Sequence, residues 1–260
     1  MRPASSIRQR CKKGSLEVIE RQRPARSAGP YLGGLVLSAL IDLLLRARLF
    51  FDLDMRKVLE HPLYRWLLEL FERFYFGVLA IFLLFFLIRI LPAVLGNQTL
   101  PRARMKLFGA LATIQLLANL AAVNMAIFLV DIASYELLIE SLALYASINL
   151  IFLFWYWFFD YPLRSQRLVA VGMAGNRGRG IPLGILFPEE ALELDIDGSD
   201  FWTPKFVDYV FFTLVSSNTL GSPEGHGVIG DRLKWTQIVH TICMTLVFIV
   251  MVARAINTLN

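Results

Sequence analysis

The sequence is poor in the residues that build catalytic and metal centres, with two cysteines and three histidines in 260 residues. Cys11 lies in a polar tail and Cys243 inside an apolar run, so they are not expected to pair or to share a metal. His61, His226 and His240 are scattered, and no Ser-His-Asp or Cys-His arrangement follows from their spacing. Enzyme activity, a cofactor and a metal site are therefore not expected. A cleavable signal pattern is missing as well, since the first apolar run begins only near Tyr31 and no small-residue cleavage site follows it. Insertion into a membrane is then expected to rely on the spans themselves.

Charge is also scarce, at 18% of residues, while hydrophobic residues make up 56% and Phe alone occurs 20 times. With a mean hydropathy of +0.56, the chain is far too apolar for a soluble domain of this size. It reads as an all-α, polytopic helical membrane protein whose surroundings are the lipid bilayer. The net charge of +5 comes from Lys and Arg in the amino-terminal tail and between apolar runs. That placement is explained by topology, and a nucleic-acid partner is not expected.

Residues 1–29 read as a disordered basic tail on the cytoplasmic side of a multi-pass protein of the cell membrane. Residues 30–51 form a short apolar helix carrying Asp42, which either crosses with help from Leu49, Phe50 and Phe51 or lies flat. Residues 56–73 mix charges with Tyr64, Trp66 and Phe71 at helical spacing, as an interfacial helix does. Spans follow at 74–95, broken by Pro92, at 107–130, containing Gln115, Asn119 and Asn124, and at 138–159. The last ends in the aromatic run Phe152 to Phe159, the composition of an interfacial belt. Residues 161–205 form the longest polar connection. Its glycine-rich stretch 172–180 follows no strand and is a poor phosphate cradle. Asp195, Asp197 and Asp200 would make a calcium loop, but Phe206 stands where a bidentate Glu should close it.

Residues 206–256 then form a hairpin. The apolar helix from Val207 to Ser217 is too short for a hydrocarbon core of about 30 Å, so it reads as a re-entrant-like helix before the last span. That gives four to six apolar helices in all. The turn Asn218-Thr219-Leu220-Gly221-Ser222-Pro223-Glu224 joins it to the final helix. In that helix Gln237, Thr241 and Thr245 share one face, with His240 beside them. A polar stripe inside a span faces a cavity or another helix, and His240 is the group there suited to a proton- or ion-linked role.

From about Leu142 onward the residues resemble a family of bacterial, actinobacterial-type integral membrane proteins. The likeness is carried by Asn149 to Trp157 followed by Asp160, by Leu186-Phe187-Pro188 with Phe201 to Tyr209, and by Ser222-Pro223 with the ending Val252 to Asn257. Glu189 or Glu190 stands where that family has Gln, and Glu224-Gly225 where it usually has Thr-Asp. The resemblance implies a fold and a membrane address, and no catalytic residue.

The same terminal segment also resembles the pore module of two-span potassium channels. Such a filter stacks backbone carbonyls from four copies of Thr-Val-Gly-Tyr-Gly. Here Thr219 and Gly221 match, but Pro223 takes the place of the second glycine and cannot reach its positive φ. The expectation is a channel-like module that passes monovalent cations with weak selectivity, working as a homo-oligomer because one hairpin cannot enclose a pore. The other reading is a non-conducting scaffold or partner subunit. Charge placement favours a hairpin entering from the cytoplasm or a full crossing by Lys205 to Gly221, whereas the short apolar run favours re-entry.

Overall fold

The computed structural model describes residues 25–52, 62–95, 100–129, 134–174, 184–191 and 203–257. Of the basic tail expected to be disordered at 1–29, residues 25–29 are helical; the rest of it, most of the glycine-rich stretch 172–180 and the Asp195–Asp200 segment lie outside the described residues. Helix α1 is Ala25–Asp52 and α2 is Pro62–Phe85, which continues through a π-turn at Phe86–Ile90 into α3, Leu91–Leu95. Next come α4, Arg102–Leu129, and α5, Ser134–Ala174. The remainder is β1, Ile185–Leu186, the short α6, Pro188–Ala191, then α7, Phe206–Thr219, β2, Gly227–Val228, and α8, Asp231–Asn257. The described residues are helical almost throughout, and among them three segments are long and apolar enough to cross a membrane: Phe76–Leu95, Leu138–Arg164 and Asp231–Ala253.

Pro92 does not break its helix. A proline ring clashes with the carbonyl four residues back, and the wider π-turn just upstream gives the backbone room to pass it. Helix α5 likewise runs on through Pro162 to Ala174. The polar connection therefore starts as a continuation of the span.

Helix α5 is the centre of the bundle. Its apolar window is 56% buried, against 22% for Phe76–Leu95 and 28% for Asp231–Ala253. On one side α1 runs antiparallel to it: Tyr31 stacks on Trp157 with ring centroids 4.4 Å apart, and Ser147 donates to Asp42 at 2.9 Å. The run beginning at Tyr31 thus lies along the bundle rather than flat across its end. Gly34 makes this approach close, since a Cβ there would touch Leu150.

On a second side α4 is also antiparallel, with Trp155 Nε1 donating to Thr113 at 2.8 Å and Arg102 lying 4.9 Å from the Phe158 ring. A Cβ on Gly109 would overlap the Phe154 ring, so glycine lets these helices meet. Phe82 of α2 stacks on Phe108 of α4 at 4.3 Å and seats the second layer.

This central position explains a departure from the sequence reading. Phe152, Phe154, Tyr156, Trp157 and Phe158 are all buried. They are core, not an interfacial belt, because this part of α5 packs against several neighbouring helices.

Candidate functional site

The hairpin from α7 to α8 is built by three local decisions. Asp208, at the third position of α7, accepts the Lys205 amide at 2.6 Å and starts the helix just after Pro204. Such a side-chain cap satisfies a backbone donor at the start of the helix. The helix stops after 14 residues, about 21 Å, where Leu220 turns left-handed with φ 52°. The chain then returns alongside α7. His226 packs on Phe187 and Phe212, Gly227 and Val228 pair antiparallel with Leu186 and Ile185, and the Ile229 amide donates to Gly184 at 2.8 Å.

Two observations fix the directions. Tyr209 near the start of α7 bonds Asp160 of α5, while Ser217 near its end bonds Asn149. Gly184 sits against Asp160, so Ile229 and the start of α8 lie at that same end. Helices α7 and α8 therefore both descend from the Asp160 end, with an ascending extended segment between them. Between Lys205 and Asp231 the chain thus leaves the Asp160 end and returns to it, which makes α7 re-entrant-like. Ser217 lies 2.9 Å from His240, nine residues into the Asp231–Ala253 segment whose middle is Ile242. At 1.5 Å per residue that is about 14 Å along α8 from its start, near the middle of this apolar segment.

The first joint holding the hairpin is a buried ion cluster at the Asp160 end. The Asp160 carboxylate accepts from Arg164 Nε, from the Tyr209 hydroxyl, and from the Ile185 amide at 2.7 Å. Arg164 also donates to Glu190 at 2.6 Å and to the Ile185 carbonyl, and lies 5.1 Å from the Phe187 ring. One carboxylate and one guanidinium thereby tie α5, β1, α6 and α7 together. Gly184 has no alternative here, because a Cβ would overlap the Asp160 carboxylate and come 3.0 Å from its Cα.

The second joint lies at mid-depth. Asn149 Nδ2 donates to the Tyr145 carbonyl at 2.8 Å, which leaves Oδ1 to accept the Ser217 hydroxyl at 2.7 Å. Ser217 also lies 3.0 Å from the Thr213 carbonyl. Whichever acceptor takes its single hydrogen, His240 Nε2 must supply one to Ser217, and Nδ1 then accepts from Tyr156 at 3.1 Å. Phe152 stacks on the imidazole at 4.4 Å. Ser217 and His240 have the spacing of a nucleophile and its base. The hydrogen runs the wrong way for that role, and the C-terminal end of a helix offers carbonyls rather than oxyanion donors. The pair is a joint between helices.

The turn residues fall on the exposed rim of this joint. Tyr145 donates to Asn218 at 3.0 Å, the Thr219 hydroxyl lies 2.9 Å from the Val215 carbonyl and 3.2 Å from that of Gly221, and Gln237 donates to Ser222 at 2.8 Å. Asn218, Thr219, Leu220, Ser222 and Glu224 are exposed, Gly221 is half-buried, and Pro223 is buried. No family model, curated protein or solved structure matches the chain. Its chemistry is read from this geometry alone.

The polar stripe of the last helix divides. His240 faces the core, Gln237 serves the turn, and Thr245 bonds back to the Thr241 carbonyl of its own helix at 2.8 Å. Sequence reasoning did not single out Ser217, Arg164 or Tyr209 as site residues. The one signal for the ion cluster was Asp160 and Arg164 four residues apart at the end of an apolar run, a spacing that places both on one helix face.

Leu220 offers a direct check on the turn. A left-handed conformation costs a residue with a Cβ about 1–2 kcal/mol, and this side chain is 43% exposed. Leu220→Gly is expected to raise stability by about 1 kcal/mol, read as a higher unfolding midpoint in detergent. A fall instead would mean that packing holds Leu220.

Proposed function

We propose that the hairpin is a weakly selective cation-permeation module of a multi-pass membrane protein, working as an oligomer. The observation that carries this reading is the polar end of α7, exposed at Asn218 and Thr219, with the non-helical turn Leu220–Ser222 that follows it near mid-depth. Lipid cannot satisfy free backbone groups there, and irregular backbone at that depth occurs where protein covers it or where it lines a water-filled cavity. The end of α7 also points its last carbonyls and the negative end of its dipole at this place, which favours a cation over an anion. Pro223 excludes a potassium-type carbonyl stack, so discrimination between sodium and potassium is weak.

Arg102, Arg164, Lys205, Arg232 and Lys234 gather at the end from which α7 enters. By the positive-inside rule that end, and with it the amino-terminal tail, is cytoplasmic. Cations then reach the tip from the inside, past Glu224.

A non-conducting scaffold or partner subunit is the second reading. It is favoured by Asn218 and Ser222 having partners within the chain, Tyr145 and Gln237. Purified protein in liposomes decides between the two. Permeation predicts sodium and potassium flux above that of empty vesicles at comparable rates, with cation preference reduced in Glu224→Gln. No flux, together with a monomeric mass in detergent, would establish the scaffold reading.

A further inference from the structure

We infer that the outer face of α7 is a self-association surface, and that copies of this chain close a ring with their re-entrant tips at its axis. Val207, Phe211, Leu214 and Asn218 follow one another at steps of four, three and four residues, which puts them on one side of a helix. The three apolar members are 70%, 55% and 40% exposed, and Asn218 continues the stripe as an exposed polar residue next to the tip.

Other outer faces at this depth differ. Leu37 and Leu40 on α1, Ile114 and Leu117 on α4, and Ile242 and Leu246 on α8 present only hydrocarbon, which lipid covers without loss. On α7 the same strip of surface changes from apolar to polar halfway down. Lipid suits its upper part and fails its lower part. A second copy suits both, because its own α7 carries the same apolar stripe at the same height and the same polar tip below it. Contacts repeated about one axis close a ring. The tip of a single chain is open on that side, so the site is incomplete without neighbours.

This surface rests on the membrane placement used for the proposed function but not on conduction. The test uses the full chain in lipid nanodiscs, with Cys11 and Cys243 replaced by serine and one cysteine added at a time. Leu214→Cys and Asn218→Cys are expected to give a ladder of dimers and higher multiples with a short bis-maleimide, while Leu40→Cys, on the α1 lipid face, stays monomeric. Leu214→Cys is a mild change at an exposed site and leaves folding intact. Absence of the ladder from both α7 positions, or an equal ladder from Leu40→Cys, would overturn the inference. Liposome flux measured on the cysteine-free parent and on Leu214→Cys, which leaves the tip residues unchanged, keeps the two ideas separate. A ladder without flux removes permeation and keeps the interface, whereas flux without a ladder removes the interface and keeps permeation.

Discussion

Asp160→Ala is expected to destabilise the protein by about 3–5 kcal/mol, the scale of a buried ion pair that loses one member. The reason is the company that Asp160 keeps. Its carboxylate takes hydrogens from Arg164, Tyr209 and the Ile185 amide, and both ion-pair members are buried. Removal leaves a guanidinium in apolar surroundings with Glu190 as its remaining ionic partner, and leaves two further donors short of an acceptor. The loss should appear as a lower midpoint when the protein in mixed micelles is titrated with a denaturing detergent.

The triple variant Asp160→Leu, Arg164→Met and Glu190→Gln should recover part of the loss, since well-packed groups without charge often match a buried ion cluster in stability and no carboxylate is left without its guanidinium. It should not recover the anchoring of β1 and α7. If Asp160→Ala costs less than about 1 kcal/mol, as an exposed pair would, the cluster is open to water and the hairpin is not held there.

His240→Ala is expected to cost about 2–4 kcal/mol, and the magnitudes say which loss dominates. Hydrogen bonds between helices in membranes contribute about 0.6–2 kcal/mol each, whereas emptying a core site of a ring costs more. The imidazole is buried, stacked on Phe152 and held between Tyr156 and Ser217. His240→Phe keeps the ring and its stacking but loses both hydrogen bonds, so it should cost about half as much as His240→Ala. Detergent-titrated unfolding of the two variants gives both numbers. Equal losses would mean that bonding, not packing, sets the role of His240. A proton-linked role predicts in addition that flux in His240→Phe loses any dependence on pH while the fold survives, which a merely structural ring would not produce.

Several elements were legible before any coordinates. Apolar runs far longer than a soluble core helix needs leave little choice but a membrane, and the stretch before Asn218 is too short to cross it by simple length. The apolar run from Val207 marks where α7 begins to within a residue, and the polar turn marks where it ends. The Tyr31 run was open between crossing and lying flat, because its length allows both. Packing sets its direction in the bundle: Tyr31 on Trp157 and Asp42 with Ser147 hold α1 along α5. The aromatic run of α5 was misread for a related reason. An aromatic belt and an aromatic core have the same composition, and only the neighbours of a helix distinguish them.

The sequence by itself determined the helices and the re-entrant length of α7, because hydrophobic length and turn chemistry are local properties of the chain. It also determined that this turn cannot be a potassium filter, since a proline keeps its φ wherever the fold puts it. Only the tertiary structure decided how the hairpin is held. Asp160 meets Tyr209 across 49 residues and Ser217 meets His240 across 23. Contacts at such separations follow from which helix faces meet around α5, and no local pattern specifies that.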